Sequence, residues 1–203
     1  MKRMMKRLCI CMLAAVFFWC GTVLADRQRL RNELIRLHVV AASDSEADQL
    51  LKLQVRDAVT ESLRLDLQNL TDIQQAKRYL ADKLPYIQQV AADTLRRFGC
   101  DYDVSVKLCR EAFDTRVYDT FSLPAGVYES LRIIIGQGGG KNWWCVVFPS
   151  LCLPAASDGM ADVATGAGFP DALCDSLTRE TGYQLRFGVL DVLGRLENSF
   201  FGE

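Results

Sequence analysis

Histidine is nearly missing from this chain: His38 is the single one among 203 residues. That scarcity excludes any site needing two imidazole ligands. A Ser-His-Asp triad would have to be built on this one side chain. Flanked by Leu37 and Val39 in an apolar run, His38 reads as a hydrogen-bonded strand residue. A basic excess is missing too. With 24 Lys+Arg against 25 Asp+Glu, the formal charge is −1, so the positive field that nucleic acid requires is absent. The eight cysteines include no two pairs at metal-ligand spacing, and two thiolates do not complete a zinc site. No internal repeat is present. These absences leave neither a cofactor nor a metal implied.

Charge is also missing from one continuous stretch. Residues 8–24 hold no Asp, Glu, Lys or Arg, and the preceding Met1-Lys2-Arg3-Met4-Met5-Lys6-Arg7 holds four cations and no acid. A basic start, an apolar run and a small residue at the exit form the layout of an export signal. Val23-x-Ala25 is a loose match to the small-x-small cleavage rule, so residues 1–25 read as a signal peptide cleaved after Ala25. The second reading is an uncleaved anchor, because the run is near the ~18-residue lower limit for spanning a bilayer. Membrane association would then run through residues 8–24. Phe18-Trp19-Cys20 lacks the small residues of a lipoprotein cleavage site. Residues 26–203 remain, 178 in all, with 20 basic and 25 acidic residues. That length suits one domain with a substantial core.

Cys9, Cys11 and Cys20 lie in the export segment, leaving Cys100, Cys109, Cys145, Cys152 and Cys174. Five thiols in an exported domain allow two disulfides with one left over. Cys145 and Cys152, with Pro149 between them, suit a bridge closing a short loop, worth roughly 2–3 kcal/mol by loop entropy. Cys100 with Cys109 is the candidate second bridge, and Cys174 the odd thiol.

Along the chain, 26–33 reads as a polar helical stalk. Ile35 to Ala41 alternates and is β-branched, a strand buried on at least one face. Ser43-Asp44-Ser45-Glu46 announces a helix, with Ser43 as N-cap and Glu46 reaching back. It runs to about Leu67, with Ala47, Leu51, Val55, Ala58 and Leu63 on one face. After Asn69-Leu70-Thr71-Asp72, a second helix carries Ile73, Ala76, Leu80, Leu84, Ile87, Val90, Thr94, Leu95 and Phe98 at helical spacing. Pro85 should kink or split it, and Gly99 should end it. The period then changes to two. Strands are expected over 102–108, 128–135 and 143–148, the last two joined in a hairpin through a flexible 136–142 loop. Residues 154–170 read as a Gly-rich loop, and 183–200 as a C-terminal helix. Helices and antiparallel strands are segregated, which predicts an α+β fold in a single domain.

Three motifs invite chemistry. Gly136 to Lys141 has the flavour of a phosphate loop, but its Gly-x-x-x-Gly-Lys spacing is one residue short. Asn142 stands where Ser or Thr would hold magnesium, and the segment enters a strand rather than a helix. Asp44, Glu46 and Asp48 could form a cation site, but helix capping accounts for them. Trp143 and Trp144, adjacent in one strand, must point to opposite faces. One suits the core. The other suits an exposed binding anchor, unless a second layer buries both rings.

The segment Ile35-Arg36-Leu37-His38-Val39-Val40-Ala41-Ala42-Ser43-Asp44-Ser45-Glu46-Ala47-Asp48-Gln49, continued by 51–59, resembles the opening signature of the stage II sporulation protein R family. Leu123-Pro124-Ala125-Gly126-Val127-Tyr128-Glu129 resembles its middle motif. Gly138 through Cys145, then Val146-Val147-Phe148-Pro149 and Leu151-Cys152, resembles its best-known stretch. Ala42, Asp114 and Ser150 depart from the family's usual residues. The resemblance implies a protein made in the forespore and exported into the space between the forespore and mother-cell membranes. There it would trigger a membrane-embedded aspartic peptidase that processes pro-sigma-E. It implies a signal rather than an enzyme, with no catalytic residues, no cofactor and no small-molecule substrate. On that reading the candidate partner contacts are Lys141, Asn142, Trp143, Trp144, Phe148 and His38. The alternatives are an extracytoplasmic envelope hydrolase using His38 or the Asp44 region, and a carbohydrate binder using an exposed Trp.

Overall fold

The computed structural model describes residues 2–117 and 122–149, leaving side chains at positions 2, 9, 20, 23–30, 117 and 122 outside the description. Helix α1 spans Lys2–Glu33 and leads directly into β1, Ile35–Val40. Two long helices follow, α2 (Glu46–Gln68) and α3 (Ile73–Arg97), then β2 (Val104–Phe113) and two short strands, β3 (Arg116–Val117) and β4 (Ser122–Leu123). The described chain ends with β5 (Gly126–Ile135) and β6 (Asn142–Phe148). The main sheet is ordered β2-β5-β1-β6, and β3 pairs with β4 separately. The architecture is mixed α+β.

Two expectations about the sheet are corrected. It is not wholly antiparallel, because β1 runs parallel to β5. Nor do β5 and β6 form a hairpin: β1 lies between them, antiparallel to β6. The reason is burial. All six residues of β1 are buried, and a strand buried on both faces belongs in the interior of a sheet, with partners on both edges. A hairpin between β5 and β6 would have left β1 on an edge, exposing its backbone.

Ile35, Leu37 and Val39 of β1 join Leu131, Ile133 and Ile135 of β5 under the two helices. From α2 come Val55, Val59, Leu63 and Leu67, and from α3 come Ala76, Leu80, Ile87, Ala91 and Leu95. The buried face of α2 is rotated from the expected one. It runs through Asp48, Lys52, Val55, Val59, Leu63 and Leu67, while Ala47 is exposed. The cap has moved as well: Ser45, not Ser43, accepts from the Asp48 N–H at 3.2 Å. α3 is one continuous helix through Pro85. Pro85 and Ala81, whose carbonyl loses its donor, both face solvent, the side of a helix where a missing bond costs least. Gly99, at φ 74°, follows the Phe98 cap as expected, and Phe98 itself is exposed.

The apolar run 8–24 lies within α1, where Leu8, Ile10, Phe17 and Phe18 are between 64% and 78% exposed. Among the described residues no helix is long and apolar enough to cross a membrane. The expected cleavage position after Ala25 falls among side chains outside the description. So do Cys152, Cys174, the 154–170 loop and the expected 183–200 helix.

Candidate functional site on the face opposite α2 and α3

Alternation along β1 sends Arg36 and His38 to the face opposite α2 and α3. Both are buried, Arg36 completely. A polar group in that position must be satisfied by neighbours, and the neighbours define the site. His38 Nδ1 donates to Glu111 Oε2 at 2.7 Å. Its Nε2 lies 2.9 Å from Asn142 Oδ1, and its ring stacks on Trp144 at 3.7 Å and 19°. With the Asn142 oxygen toward the ring, both imidazole nitrogens donate, which describes an imidazolium. Turning that amide lets the neutral ring accept instead.

Phe113 closes the site. It sits on edge strand β2, yet its ring meets Trp144 edge-on at 4.9 Å and lies 4.2 Å from the Arg36 guanidinium carbon. An edge-strand residue touching β1 and the opposite edge, β6, shows that the end of β2 leans across the face. Tyr128 packs on Phe113 at 5.8 Å and donates to the Pro124 carbonyl at 2.6 Å. Arg116 of β3 lies over Trp144 at 5.6 Å.

Glu111 is the electrostatic hub. Burial alone would raise its carboxyl, but hydrogen bonds from His38 and Cys109 and the nearby charges of His38 and Arg132 outweigh that, holding it below its ordinary value. Arg132 Nε stands 3.7 Å from Glu111 Oε1. Cys109 Sγ donates to the same oxygen at 3.1 Å. Burial and then that carboxylate push the Cys109 thiol up to about 11. Cys109, Glu111 and His38 therefore form a chain with the carboxylate in the middle. The imidazole does not contact the thiol, so no base activates a nucleophile.

Of the residues singled out from the sequence, His38, Asn142 and Trp144 come together here. Trp143 points to the helix side, under the Arg56 guanidinium at 4.2 Å, and its indole nitrogen is buried without a partner among the described residues. Phe148 belongs to the helix-side core. Lys141 is exposed, and its backbone is fixed. Its N–H donates to Asp44 Oδ1 at 2.7 Å, and its carbonyl accepts from Lys52 Nζ at 3.2 Å. Burial, then Arg56, push the Lys52 ammonium below the usual lysine value, against the pull of Asp44.

The 136–142 loop is thus a clamped corner rather than a flexible connection. Gly139 and Gly140 donate to the carbonyls of Ala42 and Ala41 at 3.2 and 3.0 Å. A Cβ on Gly140 would stand 2.2 Å from the Ser43 carbonyl oxygen, so only glycine fits. Asp44 and Asp48 are committed to this corner, Asp48 by accepting from Ser43. No cluster able to hold a metal exists among the described residues.

The second expected bridge is corrected: Cys100 and Cys109 are both free thiols. Cys109 is the sixth residue of an extended strand, and at about 3.3 Å per residue that carries it far from Cys100. Cys145 is disulfide-bonded, and Cys152, its expected partner, lies outside the described residues. Sequence reasoning missed Arg36, Glu111, Phe113, Tyr128 and Arg132. A signal existed only for Arg36, a cation in an otherwise apolar strand.

A family model described as Stage II sporulation protein R matches residues 31–158, from the end of α1 through every described strand. The chain belongs to that family. Stage II sporulation protein R of Bacillus subtilis (strain 168) is 40% identical over 130 residues, which are 64% of this chain and 58% of that protein. The matched segment thus spans little more than half of the relative. No solved structure matches. Each side chain of the His38 site lies inside the segment shared with the stage II sporulation protein R family.

Proposed function

We propose that this chain is a sporulation signalling protein, exported from the forespore into the space between the forespore and mother-cell membranes. It activates there a membrane-embedded aspartic peptidase that removes the pro-sequence of sigma-E. The observation that carries the reading is membership of the stage II sporulation protein R family over residues 31–158. The cationic start and apolar run of residues 1–25 support export. The exposed apolar side chains around α1 support it too, since they are unfavourable in water. The surface around Lys141, Asn142 and Trp144 is the proposed contact. Trp144 is half-buried, backed by the buried His38 and Phe113 and edged by Arg116, which is the make-up of a rigid aromatic anchor. We further assign the Cys145 bridge to Cys152.

The hydrolase alternative is disfavoured by the order of groups in the site, with a carboxylate between thiol and imidazole. The sugar-binding alternative is disfavoured because His38 occupies one stacking face of Trp144.

Co-expression of this chain, its peptidase and pro-sigma-E in a heterologous cell should yield the processed factor. Processing that is equal with and without this chain would overturn the reading.

A further inference from the structure

One row of side chains crosses the sheet from edge to edge on the face that carries His38. Lys107 of β2 stands opposite Arg132 of β5, Arg132 opposite His38 of β1, and His38 opposite Trp144 of β6. Opposed residues share a face, so all four side chains lie on it. The row sets two cations side by side, and like charges directly across a strand pair are destabilising. Lys107 is exposed and makes no ion pair among the described residues. Arg132 has Glu111, at 3.7 Å, and its Nε makes no hydrogen bond among the described residues. Glu111 is shared further, one oxygen accepting from His38 and the other from Cys109. A single carboxylate thus faces two permanent cations, and the row keeps a net positive charge at its β2 end.

A lysine on an edge strand also discourages pairing between sheets. That duty calls for no second cation beside it, and Arg132 lies on an interior strand. The far end of the row says what the missing anion is attached to. It ends on Trp144, the half-buried ring of the proposed contact. At about 4.8 Å per strand, Arg132 and Lys107 stand roughly 10 and 14 Å from Trp144. An extended peptide, rising about 3.3 Å per residue, covers that span in three or four residues. A free anion or a lipid headgroup matches the charge but makes no use of an aromatic anchor in the same row.

We propose that Lys107 and Arg132 receive the carboxylate of an Asp or Glu in an extended segment of the protein partner, three or four residues from the apolar side chain that packs on Trp144. The inference rests on the peptidase-activator reading and deepens it by giving the chemistry of the segment recognised.

The test adds to the co-expression assay a binding measurement between the full chain and the detergent-solubilised peptidase. Lys107→Glu is the decisive variant, because it places an acid opposite Arg132. It should melt no lower than the wild type, yet bind the peptidase at least tenfold more weakly and yield less processed factor. Arg110→Glu reverses an exposed cation of the same strand on the helix side, where Arg110 stands opposite the Glu129 that pairs with Lys77. It should leave both readouts at the wild-type level. Changing single Asp or Glu residues to Lys in the peptidase segments that face the same compartment should yield one variant that restores binding to Lys107→Glu. Wild-type binding by Lys107→Glu would overturn the proposal, as would a loss that no reversed acid restores. Equal losses in Lys107→Glu and Arg110→Glu would reduce the effect to net charge and overturn it too. Peptidase binding kept in Lys107→Glu while retention on phosphatidylglycerol vesicles is lost would assign the cations to lipid. Processing that does not depend on the wild-type chain sinks the peptidase reading and this inference with it. Wild-type behaviour of Lys107→Glu, where processing does depend on the chain, sinks this inference alone.

Discussion

Around His38, one carboxylate sets the behaviour of several neighbours. Glu111 keeps His38 oriented against Trp144, holds the Cys109 thiol protonated, and offsets Arg132. Its folded value lies below the ordinary carboxylate value of 4.5, so ionisation favours the folded state. That stability is fully present above about pH 4.5. It is lost as pH falls through the lower folded value. Glu111→Gln should cost about 2 kcal/mol at neutral pH, the worth of hydrogen bonds to a charged group. It should also remove part of the acid sensitivity below pH 4.5. Urea denaturation of both proteins at pH 7 and pH 4 checks this: an unchanged difference between the two pH values would refute the role of Glu111. His38 and the change from apolar to cationic at Arg36 were legible in the sequence as polar intrusions in a strand. Glu111, 73 residues from His38, was not, because nothing local marks which carboxylate a buried imidazole will meet.

Among the elements, the corner between β1 and α2 carries the tightest constraint. The backbone of Ala41, Ala42 and Ser43 accepts the approach of Gly139 and Gly140, and Asp44 and Lys52 hold Lys141. Gly140→Ala places a methyl on the Ser43 carbonyl and should cost about 1–3 kcal/mol as overpacking. Gly139→Ala, whose Cβ would sit 3.3 Å from the Ala42 oxygen, should cost clearly less. Thermal melts of the two variants give the comparison, and equal losses would contradict the clamped corner. The glycine cluster was visible in the sequence. Its meaning was not, since a run of glycines reads alike as a loose connection or as a close backbone approach. The shift of the α2 cap from Ser43 to Ser45 has a similar cause: both serines suit a cap, and Ser43 is drawn instead to Asp48.

At the scale of the whole molecule, the sheet and the α2–α3 layer share one core centred on β1 and β5. Leu131, fully buried on β5 beside Leu37 and Leu108, is its middle. Leu131→Ala should cost about 2–5 kcal/mol and lower the Tm by roughly 5–15 °C. Phe98→Ala should stay within about 0.5 kcal/mol. Phe98 fits the helical stripe in the sequence but is 57% exposed, as α3 ends before its side chain can turn inward. A calorimetric scan in which the two variants melt alike would refute this account of the core.

The sequence by itself determined the elements and their character. Two long amphipathic helices, a first strand buried on at least one face, opposite-facing tryptophans and an apolar N-terminal run all follow from local periodicity and composition, and the motif order pointed to the family. Tertiary structure alone decided which strands became neighbours and what each buried polar group met. Pairing β1 between β5 and β6 joins residues about 100 positions apart, and the lean of β2 brings Phe113 and Glu111 over His38. Such contacts depend on satisfying backbone edges and buried charges across the whole sheet, and no window of sequence contains that requirement.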